Sequence, residues 1–87
     1  MSEPTVIDEA GLQARIRDIA GVLLRAETPA AEDHFLALGG DSLLATVFAR
    51  KVEVECGLRP SLEEIFTLSF AEMAEALVGR QDGAARP

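Results

Sequence analysis

The chain has 87 residues, 48% of them hydrophobic, with 15 acidic against 8 basic side chains and a net charge of −7. That is enough for one small domain, which buries only about 60 to 65% of the surface its unfolded chain exposes. The negative charge argues against nucleic-acid partners and against anionic membrane surfaces, whose phosphates it would repel. A single cysteine, Cys56, excludes an internal disulfide and a multi-cysteine zinc site.

In chain order, residues 1–5 read as a flexible N-terminus with neither a basic region nor an apolar stretch, so no secretory leader and a cytoplasmic setting are expected. No run approaches the ~18 apolar residues of a membrane span. Thr5 or Asp8 is placed to cap a first helix. Leu12, Ile16, Ile19 and Leu23 then recur at helical spacing and form one apolar face, with Arg15, Arg17 and Asp18 largely on the other. The pattern ends near Arg25, whose cation suits a helix C-terminus, and Thr28-Pro29 disfavours further helix.

Residues 26–41 form a long connection containing Pro29, Gly39 and Gly40, but also Phe35, Leu36 and Leu38. Loops of this length in compact domains are commonly functional or packed on the core, and Phe35 and Leu38 are expected to tuck inward. The second helix is predicted from Ser42 to about Cys56, with Asp41 as N-cap and Gly57 just past its end. Leu44, Phe48, Val52 and Cys56, joined by Ala45 and Ala49, should face the core. Leu43, Val47 and Val54 make a separate stripe beside Thr46 and Arg50, either further core or an exposed docking surface.

Ser61 followed by Glu64 reads as a capping box for a short third helix containing Ile65 and Phe66. Ser69 and Glu72 form a second box, opening a fourth helix whose inner face is Phe70, Met73, Ala74 and Leu77. Residues 79–87 read as a flexible tail, which leaves residues 6–78 as the domain. The fold class expected is all-α: a small four-helix bundle of three long helices and one short one, with the long loop between helices 1 and 2.

The segment with chemical content is Asp33-His34-Phe35-Leu36-Ala37-Leu38-Gly39-Gly40-Asp41-Ser42-Leu43. Two glycines allow a sharp turn and the close approach of another backbone. A serine in the first helical turn has its hydroxyl at the surface, beside free N–H groups and partial positive charge that favour a phosphate. Serine-hydrolase chemistry fits poorly. Leu44 stands where a nucleophile elbow needs glycine, no strand precedes Ser42, and the lone histidine, His34, has no evident orienting partner. The phosphate-loop pattern and metal-loop spacings are absent.

Residues 33–44 resemble the signature of thiolation domains, the peptidyl carrier proteins of nonribosomal peptide synthesis, whose pattern D-x-F-[FL]-x-L-G-G-[DH]-S-[LI] matches at every position. The likeness extends over roughly residues 12–77. It implies that a phosphopantetheinyl transferase attaches 4′-phosphopantetheine from coenzyme A to Ser42, with Gly39, Gly40 and Asp41 framing the site. The arm's thiol would hold an aminoacyl or peptidyl thioester made by an adenylation enzyme and present it to condensation or tailoring enzymes. The protein would be a non-catalytic carrier. Leu43, Thr46, Val47 and Arg50 follow Ser42 along the helix and are read as the docking face.

Two departures from the family bear on partner identity rather than on Ser42. The stretch Phe66-Thr67-Leu68-Ser69-Phe70 is about one residue shorter than the usual one and lacks its proline, and residues 51–56 are more acidic than usual. Alternatives are a carrier for polyketide, aryl or D-alanyl groups and, from a different class, an unmodified helical interaction module. The double glycine with Phe35 favours the peptide-synthetase type over fatty-acid carriers. A monomer is expected, since a carrier must leave each partner, and a free-standing carrier is expected from the chain limits.

Overall fold

The computed structural model of the chain describes residues 8–84. Its helices are α1 (Glu9–Leu24), α2 (Ser42–Cys56), α3 (Leu62–Thr67) and α4 (Phe70–Ala84), with a single 3-10 turn over Leu36–Leu38 inside the long first loop. This is the all-α bundle of three long helices and one short one that the periodicity predicts. Among the described residues no helix is long and apolar enough to cross a membrane.

α1 starts where Asp8 accepts a hydrogen bond from the Gly11 N–H at 2.8 Å, satisfying one of the orphan donors of the first turn. Thr5, the other candidate cap, lies outside the described residues, as do residues 1–5 as a whole. Leu12, Ile16, Ile19 and Ala20 are buried along one face, and Leu23 is half-buried beside them. α1 lies against both α2 and α4, and α2 against α3. At its C-terminus, Arg25 adopts a left-handed backbone conformation (φ 54°), and its N–H closes back on the Gly21 and Val22 carbonyls. Arg25 thus ends the helix through its backbone rather than through the charge of its side chain. A non-glycine residue in this region is strained by about 1–2 kcal/mol.

The loop that follows is held to the bundle by named bonds. Arg17 Nε donates to the Pro29 carbonyl at 2.7 Å, and the Ala30 N–H donates to Asp33 Oδ2 at 2.8 Å. The N–H groups of Phe70 and Ala71, unsatisfied inside their own helix, donate to the carbonyls of Asp33 and Ala31 at 3.1 and 2.8 Å. The loop therefore caps α4, and an isolated antiparallel bridge between His34 and Ser69 adjoins these contacts. Phe35 is fully buried, its ring centroid 5.0 Å from that of Phe48, which lies 6.4 Å from Phe70. These tilted aromatic contacts pin loop, α2 and α4 together. Leu38 does not follow Phe35 all the way inward; it is half-buried at the margin of the core.

Along α2, Ala45, Phe48, Ala49 and Val52 are buried as their spacing requires, while Leu44 and Cys56 at the two ends are half-buried. Gly57 closes the helix at φ 78°. Both capping boxes form: Ser61 and Glu64 exchange backbone-to-side-chain bonds at 2.9 and 3.1 Å, and Ser69 and Glu72 do the same.

α4 corrects one sequence boundary. It does not stop at Leu77 or Val78 but continues through Gly79 and Arg80 to Ala84, so a tail beginning at 79 is too early. A tertiary contact that local pattern does not reveal lies on this added stretch. Arg80 reaches back with bonds to both Glu64 carboxylate oxygens at 2.6 and 3.1 Å and to the Arg59 carbonyl at 2.8 Å, tying the end of α4 to the start of α3. Residues 85–87 lie outside the described residues.

Candidate functional site: the junction of the long loop and α2

The site is built by a turn that two glycines make possible for two different reasons. Gly39 has φ 97°, a conformation L side chains rarely adopt, and its N–H donates to the Leu36 carbonyl at 3.0 Å. Gly40 donates to the Phe35 carbonyl at 3.1 Å, and a Cβ at this position would fall 2.2 Å from the Phe35 ring. From sequence, the two glycines are expected to serve turning and the approach of another protein's backbone. The structure gives Gly40 an internal duty: it makes room for the buried ring that anchors the loop.

Asp41 follows in an extended conformation. Its Oδ1 accepts from the Leu44 N–H at 2.9 Å, and its carbonyl accepts from the Ala45 N–H at 2.8 Å. This N-cap fixes the start of α2, so Ser42 is the first helical residue, and it is exposed. The amides of Ser42 and Leu43 belong to the first turn, where a helix has no carbonyl of its own to offer them. Thr46 Oγ1 donates to the Ser42 carbonyl at 3.0 Å, which braces that turn.

Of the residues read as a docking face, Leu43 (74% exposed), Thr46 and Arg50 stand in solvent, and Val47 is half-buried between them. Val54, further along the same stripe, is 71% exposed. The stripe is therefore surface rather than a second core face.

Sequence reasoning missed two residues near Ser42. A recess opens beside it, lined by Leu36, Gly40, Asp41, Ser42 and Phe66. The sequence places Leu36 in the loop and its signature segment and Phe66 in α3 and the shortened stretch after it, but assigns neither to the site. Their meeting is tertiary, since the 3-10 turn and α3 lie far apart along the chain, and no local spacing announces it. Among the described residues no group of three His, Cys, Asp or Glu side chains could hold a metal ion.

A family model described as "phosphopantetheine attachment site" matches residues 11–77, most of the chain. The chain belongs to that family. Over 76 residues, 86% of its length, this carrier domain is 32% identical to surfactin synthase subunit 1 of Bacillus subtilis (strain 168), of which it spans only about 2%. No solved structure matches it. The prosthetic group of such a domain is 4′-phosphopantetheine, covalently attached. The residues at the junction fit that group. An exposed primary hydroxyl offers an ester oxygen, the first turn of α2 presents N–H groups and partial positive charge to a phosphate, and an apolar wall stands alongside. The domain family is non-catalytic in itself. The arm brings the reactive thiol, and the protein supplies its place and orientation.

Proposed function

We propose that Ser42 carries the 4′-phosphopantetheine arm, and that the domain holds an aminoacyl or peptidyl group on the arm's thiol as a thioester for the enzymes of nonribosomal peptide synthesis. The observation that carries this reading is the exposure of Ser42 at the first position of α2, directly behind a turn framed by Gly39, Gly40 and Asp41. In the modification, the Ser42 oxygen attacks the phosphorus of the coenzyme A pyrophosphate that bears the pantetheine. A new P–O bond forms, adenosine 3′,5′-bisphosphate leaves, and the hydroxyl proton passes to a base of the transferase, which also holds the magnesium. An adenylation enzyme then transfers the acyl group of an acyl adenylate to the arm's thiol, releasing AMP.

Once loaded, the domain raises the effective concentration of its cargo at each partner's site, as a tether does. Leu43, Thr46, Val47 and Arg50 form the face on which transferase, adenylation enzyme and condensation or tailoring enzymes dock. The carboxylate of Asp41 serves both as cap and as part of what the transferase reads. Likeness to a nonribosomal synthetase subunit supports the peptidyl type over polyketide, aryl or D-alanyl carriers. The supply of coenzyme A and acyl adenylates agrees with a cytoplasmic setting.

The test is intact mass after incubation with coenzyme A, magnesium and a broad-specificity transferase. The expected result is a gain of one arm, abolished by Ser42→Ala. No gain in the wild-type chain would leave the unmodified interaction module as the reading. A panel of amino acids offered with a separately supplied adenylation enzyme then reads the cargo, and loading in trans is the behaviour a free-standing carrier requires.

A further inference from the structure

We infer that the recess beside Ser42 seats the branched, proximal segment of the arm, and that Leu36 and Phe66 set the direction in which the arm leaves the surface. This rests on the reading that Ser42 bears the arm.

The recess is assembled from three separate elements: Leu36 from the 3-10 turn, Gly40, Asp41 and Ser42 from the junction, and Phe66 from α3. Leu36 and Phe66 give it two apolar walls beside the polar Asp41 and Ser42. Leu36 is 50% exposed although its neighbour Phe35 is fully buried, and Phe66 is half-buried at the rim of the core. Leu36 is also held in place, because its carbonyl accepts the Gly39 N–H.

The floor is closed. Gly40 lies directly on the Phe35 ring, and Phe35, Phe48 and Phe70 fill the space beneath it. The recess therefore takes a short, bulky group at the surface rather than a long acyl chain threaded into the bundle.

The chemistry of the arm supplies such a group at the right point. Next to the phosphate, beyond a single methylene, stands a quaternary carbon bearing two methyls, the most branched apolar part of the arm. The amides and the thiol come after it. A tether at Ser42 delivers those methyls to the recess that Ser42 itself lines, at the high effective concentration of an intramolecular contact. Removing them and the exposed side of Leu36 from water is favourable. Two methyls against an open wall make a weak contact, so a docking enzyme can lift the arm off. The thioester end stays in solvent, with the arm biased toward α3.

The experiment uses isotopically labelled full-length chain converted to the holo form with coenzyme A and a transferase, with intact mass recorded first. Nuclear Overhauser cross-peaks are then sought between the arm's geminal methyls and the Leu36 methyls and Phe66 ring. The inference expects these cross-peaks, together with methyl shifts displaced from those of free phosphopantetheine. Leu36→Ser, at a half-exposed position, should gain the arm fully and lose the displacement. Complete mass gain with free-arm shifts and no cross-peaks overturns the inference while leaving the attachment reading intact. So does a displacement unchanged in Leu36→Ser. Absence of any mass gain overturns both.

Discussion

Gly40 is packed against Phe35 so closely that a Cβ on Gly40 would lie 2.2 Å from Phe35 Cε2, 2.3 Å from Cδ2 and 2.9 Å from the Phe35 carbonyl oxygen. None of these atoms is the free end of a flexible chain. The ring is buried between loop and α2, and the carbonyl already accepts the Gly40 N–H. Gly40→Ala is therefore expected to destabilise the fold by about 1–3 kcal/mol, the usual cost of overpacking. Urea unfolding measures it. If the clash with the ring is the cause, Phe35→Leu combined with Gly40→Ala will cost less than the sum of the two single changes. Strictly additive losses would place the strain elsewhere.

Asp41 can be split into cap and charge. Asp41→Ala removes the acceptor for the Leu44 N–H and is expected to cost about 1 kcal/mol, whereas Asp41→Asn keeps an oxygen in the same place and should cost little. The amide has no negative charge. Asp41→Asn is thus expected to unfold like the wild type yet take up the arm more slowly, read by the time course of mass gain. Equal rates would reduce Asp41 to its capping role.

Most of this architecture is legible in the sequence because its determinants are local. The spacing of Leu12, Ile16 and Ile19, the caps Asp8 and Asp41, and the paired boxes at Ser61–Glu64 and Ser69–Glu72 each act within a turn or two, and each stands where pattern places it. What pattern could not supply depends on contacts between distant residues. The tie between α4 and α3 depends on Arg80 meeting Glu64, the reason for Gly40 depends on the ring of Phe35, and the recess at Ser42 depends on α3 folding against the 3-10 turn. Arg25 shows the same limit at short range, since its charge was readable but its left-handed backbone was not.

The Glu64–Arg80 pair gives the fold a signature in acid. The Arg80 hydrogen bonds, with help from the Ser61 N–H, hold the Glu64 carboxyl below the ordinary carboxylate range against an opposing push from partial burial. A carboxyl with a depressed folded-state pKa stabilises fully above its unfolded value, and that contribution fades as pH falls through the folded value. Glu64→Gln should therefore lower stability at neutral pH and flatten the loss on acidification. Because Arg80 is partly exposed, the difference is expected to be about 1 kcal/mol or less and to shrink in salt. Unfolding midpoints at pH 7 and in acid, for both proteins, check it.

The exposed stripe proposed for docking makes a kinetic prediction. Leu43 and Arg50 are exposed, and neither side chain contributes to the buried core, so Leu43→Ala and Arg50→Ala should change stability by no more than about 0.5 kcal/mol. Both are expected to slow modification and loading several-fold. A similar exposed change away from the stripe, Glu75→Ala, should leave the rates alone. Loading rates unaltered in Leu43→Ala and Arg50→Ala would remove this face from partner recognition.

Cys56 separates the chain's own thiol from that of the arm. It is half-buried at the end of α2, and burial raises its pKa; the neighbouring Glu55 acts in the same direction, and Arg15 opposes both. Thiolate is the reactive form, so at neutral pH Cys56 is expected to alkylate slowly in the folded chain and faster once urea has unfolded it. The arm's thiol has no such shelter. In the holo protein a limiting dose of iodoacetamide should label the arm first, leaving Cys56 unmodified in the peptide that contains it. Labelling of Cys56 at the rate of a free thiol in the folded protein would mean that this helix end opens far more readily than its packing allows.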